Sequence, residues 1–333
     1  MPGRREVLAG LDARTRRIYQ PVWDDLGQVE RRLRELLVSS PDDIRDLLQY
    51  VLGDRGKRIR PAITLLTSHL HPCEPDLPVL IATAIELLHL ATLIHDDTVD
   101  GSVMRRGRTT VSRRWDSSIA VLLGDYVFGV SSVFVSDTRN VRVIRACAET
   151  VRDLSHGQLL EHLNSFNWQQ TRKEYQARIF YKTASLFRTA AQVGTALSGA
   201  PEEWVKALTS YGYNLGMAFQ VVDDILDYEG DPQEVGKPVG NDLLQGVVTL
   251  PAIILMERHP DAGPVKELFS SKAPEKHLPQ LTGLIRNAGI LDECHAVAEE
   301  FCDKAARSLD ILPDTPPRSS LVELTRYVLE RRR

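Results

Sequence analysis

Asp96-Asp97-Thr98-Val99-Asp100 and Asp223-Asp224-Ile225-Leu226-Asp227 repeat one acidic pattern 127 residues apart, and each closes a long apolar stretch with helical spacing. Six carboxylates thus stand where a hydrophobic core should be closing. Ionised Asp is among the residues least often buried, because a lone carboxylate taken out of water costs several kcal/mol or more unless a positive charge compensates it. On a helix, i and i+4 share a face, so Asp96 lies over Asp100 and Asp223 over Asp227, with Asp97 and Asp224 flanking them. Clusters of carboxylate oxygens suit hard divalent cations. Mg2+ in particular keeps several waters and bridges a few carboxylates to phosphate oxygens. Two facing clusters would hold a diphosphate between metal ions, whereas one copy alone reads equally well as a solvated acidic face.

Cations stand near both motifs. Gly56-Lys57-Arg58-Ile59-Arg60-Pro61 places three in four positions before a helix start, and Lys57 with Arg60 forms a plausible diphosphate clamp. Arg105-Arg106-Gly107-Arg108 follows Asp100 by five residues, where it would either neutralise the acids or bind anions beside them. His89 precedes Asp96 by seven residues, on the same helix face and roughly 10 Å away. Lys182-Thr183, Gln220 and Lys237 add donors, with Lys237 in a Gly-containing loop suited to a lid.

Helices must position these groups. Period-two runs are scarce and i, i+3, i+4, i+7 apolar spacing recurs, so the expected fold class is all-α. The 333 residues, 43% apolar, contain no low-complexity linker, and we expect one helical domain over 1–333 with residues 1–40 as an N-terminal helical extension. Ser40-Pro41-Asp42-Asp43 predicts a helix start capped by Ser40. Loops are expected at 71–78, 229–242 and 313–319.

Net charge is −4, with 41 Lys plus Arg against 45 Asp plus Glu, which gives no general attraction to nucleic acid. Cys73, Cys147, Cys294 and Cys302 lack metal-ligand or C-x-x-C spacing and read as reduced thiols. No apolar signal core follows the N-terminal arginines, so a cytoplasmic location is expected. The run Val79 to Ile94 is too short for a membrane span.

In combination these strings resemble the trans-type isoprenyl (polyprenyl) diphosphate synthases, head-to-tail prenyltransferases of the isoprenoid synthase fold. Gly56 to Pro61, Glu86-Leu87-Leu88-His89, His95 to Asp100, Arg105-Arg106-Gly107, Lys182-Thr183-Ala184, Phe219 to Asp224 and Asp227 occur in that family's order, and the likeness runs from about Leu48 to the C-terminus. The resemblance implies a single bundle of long helices around a central cavity, in a homodimer. It implies that Asp96, Asp97, Asp100, Asp223, Asp224 and Asp227 bind three Mg2+ ions on the diphosphate of an allylic substrate, be it dimethylallyl, geranyl, farnesyl or geranylgeranyl diphosphate. Arg105, Lys182 and Lys237 would contact that diphosphate, with Thr183 and Gln220 in support. Lys57, Arg60, His89 and Arg106 would hold isopentenyl diphosphate. Arg55, Gln158 with Glu161, and Val247 depart from the family pattern.

Product length is read from Ala91 and Thr92, one turn before the carboxylates. Short-chain relatives often carry aromatic rings there, and here both residues are small, with Leu87 and Leu88 as a deeper floor. One helix turn advances about 5.4 Å, near one isoprene unit. A product longer than farnesyl diphosphate is expected, of medium or long chain, with geranylgeranyl diphosphate as the nearest rival and loose membrane association at product release. Terpene cyclases generally differ at the second metal site, an all-helical phosphohydrolase would need further histidines beside His95, and a non-catalytic partner subunit would tend to lack one motif.

Overall fold

A computed structural model describes residues 11–53, 56–229, 239–259, 263–271 and 273–331. The helices are α1 (Ala13–Ile18), α2 (Trp23–Ser39), α3 (Asp42–Leu52), α4 (Ile59–Ser68), α5 (Asp76–Val99), α6 (Val111–Arg114), α7 (Ser117–Asp137), α8 (Val141–Leu163), α9 (Arg172–Ile179), α10 (Ser185–Leu197) and α11 (Glu202–Glu229). After these come α12 (Asn241–Leu244), α13 (Leu250–Arg258), α14 (Pro264–Ser270), α15 (Leu278–Asn287), α16 (Ile290–Ser308) and α17 (Pro316–Leu329). The strands among the described residues are β1 (Met104–Arg105) and β2 (Arg108–Thr109), one small antiparallel hairpin. The fold is all-α.

The chain folds into two compact units. The first holds Met1–Thr150, Leu186–Thr209 and Leu309–Glu323, and the second Val151–Ser185, Ser210–Ser308 and Leu324–Arg333. The boundaries at Thr150 and Thr209 fall inside α8 and α11 rather than in loops.

In the first unit α5 is apolar almost all round, as a helix must be when neighbours cover most of its faces. It packs chiefly along α7, with α4 and α2 on its other sides. Close approach to α7 depends on Gly124, where a Cβ would stand 2.2 Å from His95 Nε2. Ser131 Oγ donates to the Ala84 carbonyl at 2.7 Å across the same seam. In the second unit α13 and α15 pack on α16.

Local details depart from several expectations. Ser40 closes α2 rather than opening α3: its hydroxyl donates to the Leu36 carbonyl, and no side chain caps α3 at Pro41. Loop segments shorten because α5 begins at Asp76 and α17 at Pro316. α5 and α7 are both long and apolar enough to cross a bilayer by length and composition, contrary to the expectation from the run Val79 to Ile94. Of the apolar window in α5, 67% is buried within the protein, as befits a core helix, whereas the figure for α7 is 33%. Lys237 and Arg55 lie outside the described residues.

Candidate active site

Both acidic motifs occupy the last turns of their helices. Asp96 to Asp100 end α5, with Asp100 as its C-cap, and Asp223 to Asp227 precede the end of α11 at Glu229. That end of a helix carries the negative pole of the macrodipole, so acids there are disfavoured until a cation joins them. Asp97 is buried and accepts a hydrogen bond from Arg105 Nε at 2.7 Å, while Asp96 is half-buried and Asp100 exposed.

Arg105 is delivered by the hairpin. Arg106 and Gly107 form its two-residue turn with φ of 48° and 77°, the left-handed pair that a tight hairpin requires. Tyr50 of α3 anchors the second strand. Its hydroxyl donates to the Thr109 carbonyl at 2.6 Å, and the Arg108 guanidinium lies 4.1 Å from its ring centre.

The segment 56–60 supplies the remaining cations. Arg58, with φ of 53°, is buried between Glu30 of α2 and Glu86 of α5, donating to each at 2.5 Å. The two carboxylates push its already high pKa further up, against desolvation. Arg58 is therefore a structural lock, and it sets its neighbours Lys57 and Arg60. Tyr19 donates to the Lys57 carbonyl at 3.0 Å. Arg60 stacks on Phe187 at 4.4 Å and approaches His89 Nε2 at 3.2 Å through Nη1. A Cβ on Gly56 would stand 2.8 Å from Arg106 Nη1, so the glycine admits that guanidinium to the same corner.

The result is a group of basic side chains acting on one imidazole. Burial, then Arg60, Arg106, Arg105 and Arg58, hold the His89 pKa well below 6.5, so the ring is neutral and accepts from Arg60. Of the cations read from the sequence in this region, Arg60 contacts His89, and Arg105 and Arg106 act on it electrostatically. Such a concentration of positive charge with a neutral imidazole fits a multiply charged anion.

In the second unit the Lys182-Thr183 step lies in a single π-helical turn, Phe180–Ala184, between α9 and α10. Turns of this kind concentrate at functional sites because they rotate side chains out of the regular helix register. Gly157 of α8 allows the close approach: a Cβ there would stand 2.5 Å from the Lys182 backbone nitrogen. Lys182 Nζ pairs with Glu161, and Thr183 Oγ1 donates to Gln220 Oε1 at 2.6 Å. Gln220 Nε2 in turn donates to Asp224 Oδ1 at 2.8 Å. Gln220 thus orients an acid of the second motif, and the Gln158/Glu161 exchange leaves Glu161 as the partner of Lys182.

Two contributors escape sequence reading. Tyr175 of α9, 49 residues from Asp224, donates to Asp224 Oδ2 at 2.6 Å. Asp242, after the Gly240 turn, is held beside Asp227, whose Oδ2 accepts the Asp242 backbone N–H at 3.3 Å. Its acidic spacing from Asp227 was the available signal. Burial pushes Asp224 up to about 7 despite its hydrogen bonds, and burial followed by Asp227, Asp224, Asp223 and Glu161 raises Asp242.

A divalent ion bound here would favour the ionised forms of Asp224 and Asp242, which burial disfavours. Among the described residues no three His, Cys, Asp or Glu side chains close into a ready-made metal cage. Mg2+ is commonly held by a few carboxylates together with water and substrate phosphate. His95 Nε2 lies against the Val121 carbonyl at 3.1 Å and Asp125 at 3.5 Å, on the α7 side of α5.

The sequence profile of the polyprenyl synthetase family matches residues 41–283. The chain belongs to that family. It is 36% identical over 319 residues to octaprenyl diphosphate synthase of Escherichia coli, covering 95% of this chain and 99% of that one. It is 33% identical over 317 residues to heptaprenyl diphosphate synthase component 2 of Geobacillus stearothermophilus, covering 94% and 98%. A polyprenyl synthase from Caulobacter crescentus, solved in complex with calcium and isoprenyl diphosphate, superposes with a TM-score of 0.89 at 30% identity, covering 96% of this chain and 98% of that one. The chain is accordingly an enzyme that transfers prenyl groups.

Within this polyprenyl synthetase the four positions that the sequence suggested for chain length divide into two settings. Leu87, Leu88 and Ala91 are buried and Thr92 is half-buried. Ala84, Leu88, Ala91 and His95 form one stripe of α5. That stripe meets α7 at Ser131 and Gly124. Thr92 lies off that seam, nearer the face of His89 and Asp96, with its hydroxyl bonded to the His89 carbonyl at 2.7 Å. Ser131 is committed to the seam and Ser132 is exposed.

Proposed function

We infer that this polyprenyl synthetase condenses isopentenyl diphosphate head-to-tail with an allylic diphosphate and builds a trans-polyprenyl diphosphate longer than C15. The observation that carries the reading is on α5. His89, with Arg58, Arg60, Arg105 and Arg106 bearing on it, shares a helix face with Asp96 two turns on and Asp100 three turns on, so an anion-binding surface and a cation-binding surface are adjacent.

Lys57, Arg60, His89 and Arg106 hold the diphosphate of isopentenyl diphosphate, with Arg60 as a planar fork and the neutral His89 as a donor–acceptor that adds no charge of its own. Asp96, Asp97, Asp100, Asp223, Asp224 and Asp227 would hold Mg2+, three ions by family resemblance, and Asp242 adds to their field. When bound, Mg2+ supplies positive charge to the allylic diphosphate as it leaves. By family resemblance Lys182 and Lys237 would contact that same group, and Arg105, steadied by Asp97, would approach it from the hairpin. The C–O bond breaks, the allylic cation is attacked by the double bond of isopentenyl diphosphate, and the departing diphosphate removes the final proton. Groups aimed at charge that grows only in the transition state accelerate the step without tightening substrate binding equally.

Small Ala91 and Thr92 support elongation past farnesyl diphosphate, in keeping with relatives named for hepta- and octaprenyl products. The exposed face of α7, with Val121, Leu122, Tyr126 and Val133, is the surface we assign to a homodimer, which Leu122→Glu should split to monomers by light scattering. We place the enzyme in the cytoplasm.

Arg60→Gln tests the division of labour. Losing one charge-assisted contact should raise KM for isopentenyl diphosphate about tenfold while the KM for the allylic substrate stays near wild type. An equal rise in both would contradict two separate diphosphate sites.

A further inference from the structure

Arg331 lies on the first acid of the second motif. Its Nη2 donates to Asp223 Oδ1 at 3.2 Å, and its guanidinium carbon is 4.1 Å from the centre of the Phe219 ring, one turn earlier on α11. The Arg331 side chain is 12% exposed, against 52% for Asp223. Ring face and carboxylate therefore grip the guanidinium from two directions. The grip on the acid is incomplete. An arginine that ends its search on a carboxylate usually forks across both oxygens, whereas here one long contact is made, and Nε and Nη1 are buried without a hydrogen-bond partner.

We propose that Arg331 is a tethered stand-in for the divalent cation at Asp223. It covers the carboxylate while no ion is bound there and competes with an ion for Oδ1, because each positive centre weakens the other's hold on the same oxygen. The proposal rests on Asp223 being a metal ligand. Metal loading and displacement of the segment around Arg331 are then one equilibrium, and by linkage whatever strengthens the Arg331 contact weakens the metal by the same factor. Phe219 sets that strength without touching the ion.

The test uses the full chain and Mn2+ alone, titrated by electron paramagnetic resonance, with Asp223→Asn marking the part of the isotherm that belongs to this acid. Arg331→Ala and Arg331→Gln should each tighten that part about two- to tenfold, the range for a partly shielded ion pair. Phe219→Leu should shift affinity in the same direction, and it decides the matter if the arginine variants fold poorly. In the wild type, Mn2+ should also speed trypsin cleavage after Arg331, read by mass. Unchanged or weaker Mn2+ binding in the variants, with an Asp223-dependent site still present, would overturn the stand-in role alone. No Asp223-dependent binding in any of the proteins would overturn the metal assignment and the stand-in role together.

Discussion

Asp97 accepts a hydrogen bond from Arg105 Nε at 2.7 Å, so one acid of the first motif is bound to the hairpin that follows it. The pair fixes a cation beside the end of α5, where the helix dipole alone would attract one. Asp96 and Asp100, four residues apart, are left on a common face.

Asp97→Ala should therefore cost at least about 100-fold in kcat, the scale of removing one preorganised electrostatic contact. Arg105 is 36% exposed and regains water when its partner is lost, so the melting temperature should change little. Retention of more than a tenth of wild-type kcat would remove Asp97 from the proposed machinery.

Arg58 makes the opposite prediction. Arg58→Met leaves Glu30 and Glu86 buried without their shared cation, which should destabilise the fold by about 3–5 kcal/mol. Urea unfolding midpoints measure this directly. Adding Glu30→Gln and Glu86→Gln to Arg58→Met should recover part of the loss, because the stranded charges are then gone.

His89 gives stability a pH dependence of defined sign. Its pKa is lowered in the folded chain by burial and by Arg60, Arg106, Arg105 and Arg58, so below its ordinary 6.5 the unfolded chain binds more protons. Stability should fall as pH drops from 6.5 toward the lowered folded value. In His89→Gln, which cannot titrate, the slope of unfolding free energy against pH in that window should be smaller. An unchanged slope would show that the ring does not carry it.

Much of this site is legible in the sequence because its signals are local. The two acidic motifs and His89 seven residues before Asp96 are read from spacing along single helices, and the Lys182-Thr183 step comes with the family resemblance. What escapes is set by distant pairing. Arg58 looks like one more phosphate ligand until Glu30 and Glu86, each 28 residues away, claim it. Tyr175 and Asp224 meet across 49 residues, and no periodicity announces a hydroxyl aimed at a buried acid. Ser40 has the composition of an N-cap, yet its hydroxyl finds the Leu36 carbonyl of the preceding helix, a competition between two helix ends that composition does not resolve. The apolar run of α5 is likewise shorter than the helix, because His95, Asp96 and Asp97 interrupt hydropathy without interrupting hydrogen bonding.

Product length should respond at Thr92 more cleanly than at Ala91. A ring at Ala91 must enter the seam between α5 and α7, where overpacking costs about 1–3 kcal/mol. Thr92 is half-buried and lies off that seam. Thr92→Phe should shorten the product toward C15 with little loss of stability, measured by the mass of extracted products and by the melting temperature. An unchanged product distribution would place the floor elsewhere.

The central claim is tested most directly by incubating the purified protein with Mg2+, isopentenyl diphosphate and allylic primers of several lengths, and weighing the products. The account predicts trans-polyprenyl diphosphates longer than C15. Absence of elongation with every primer, or a product that stops at farnesyl diphosphate, would contradict it.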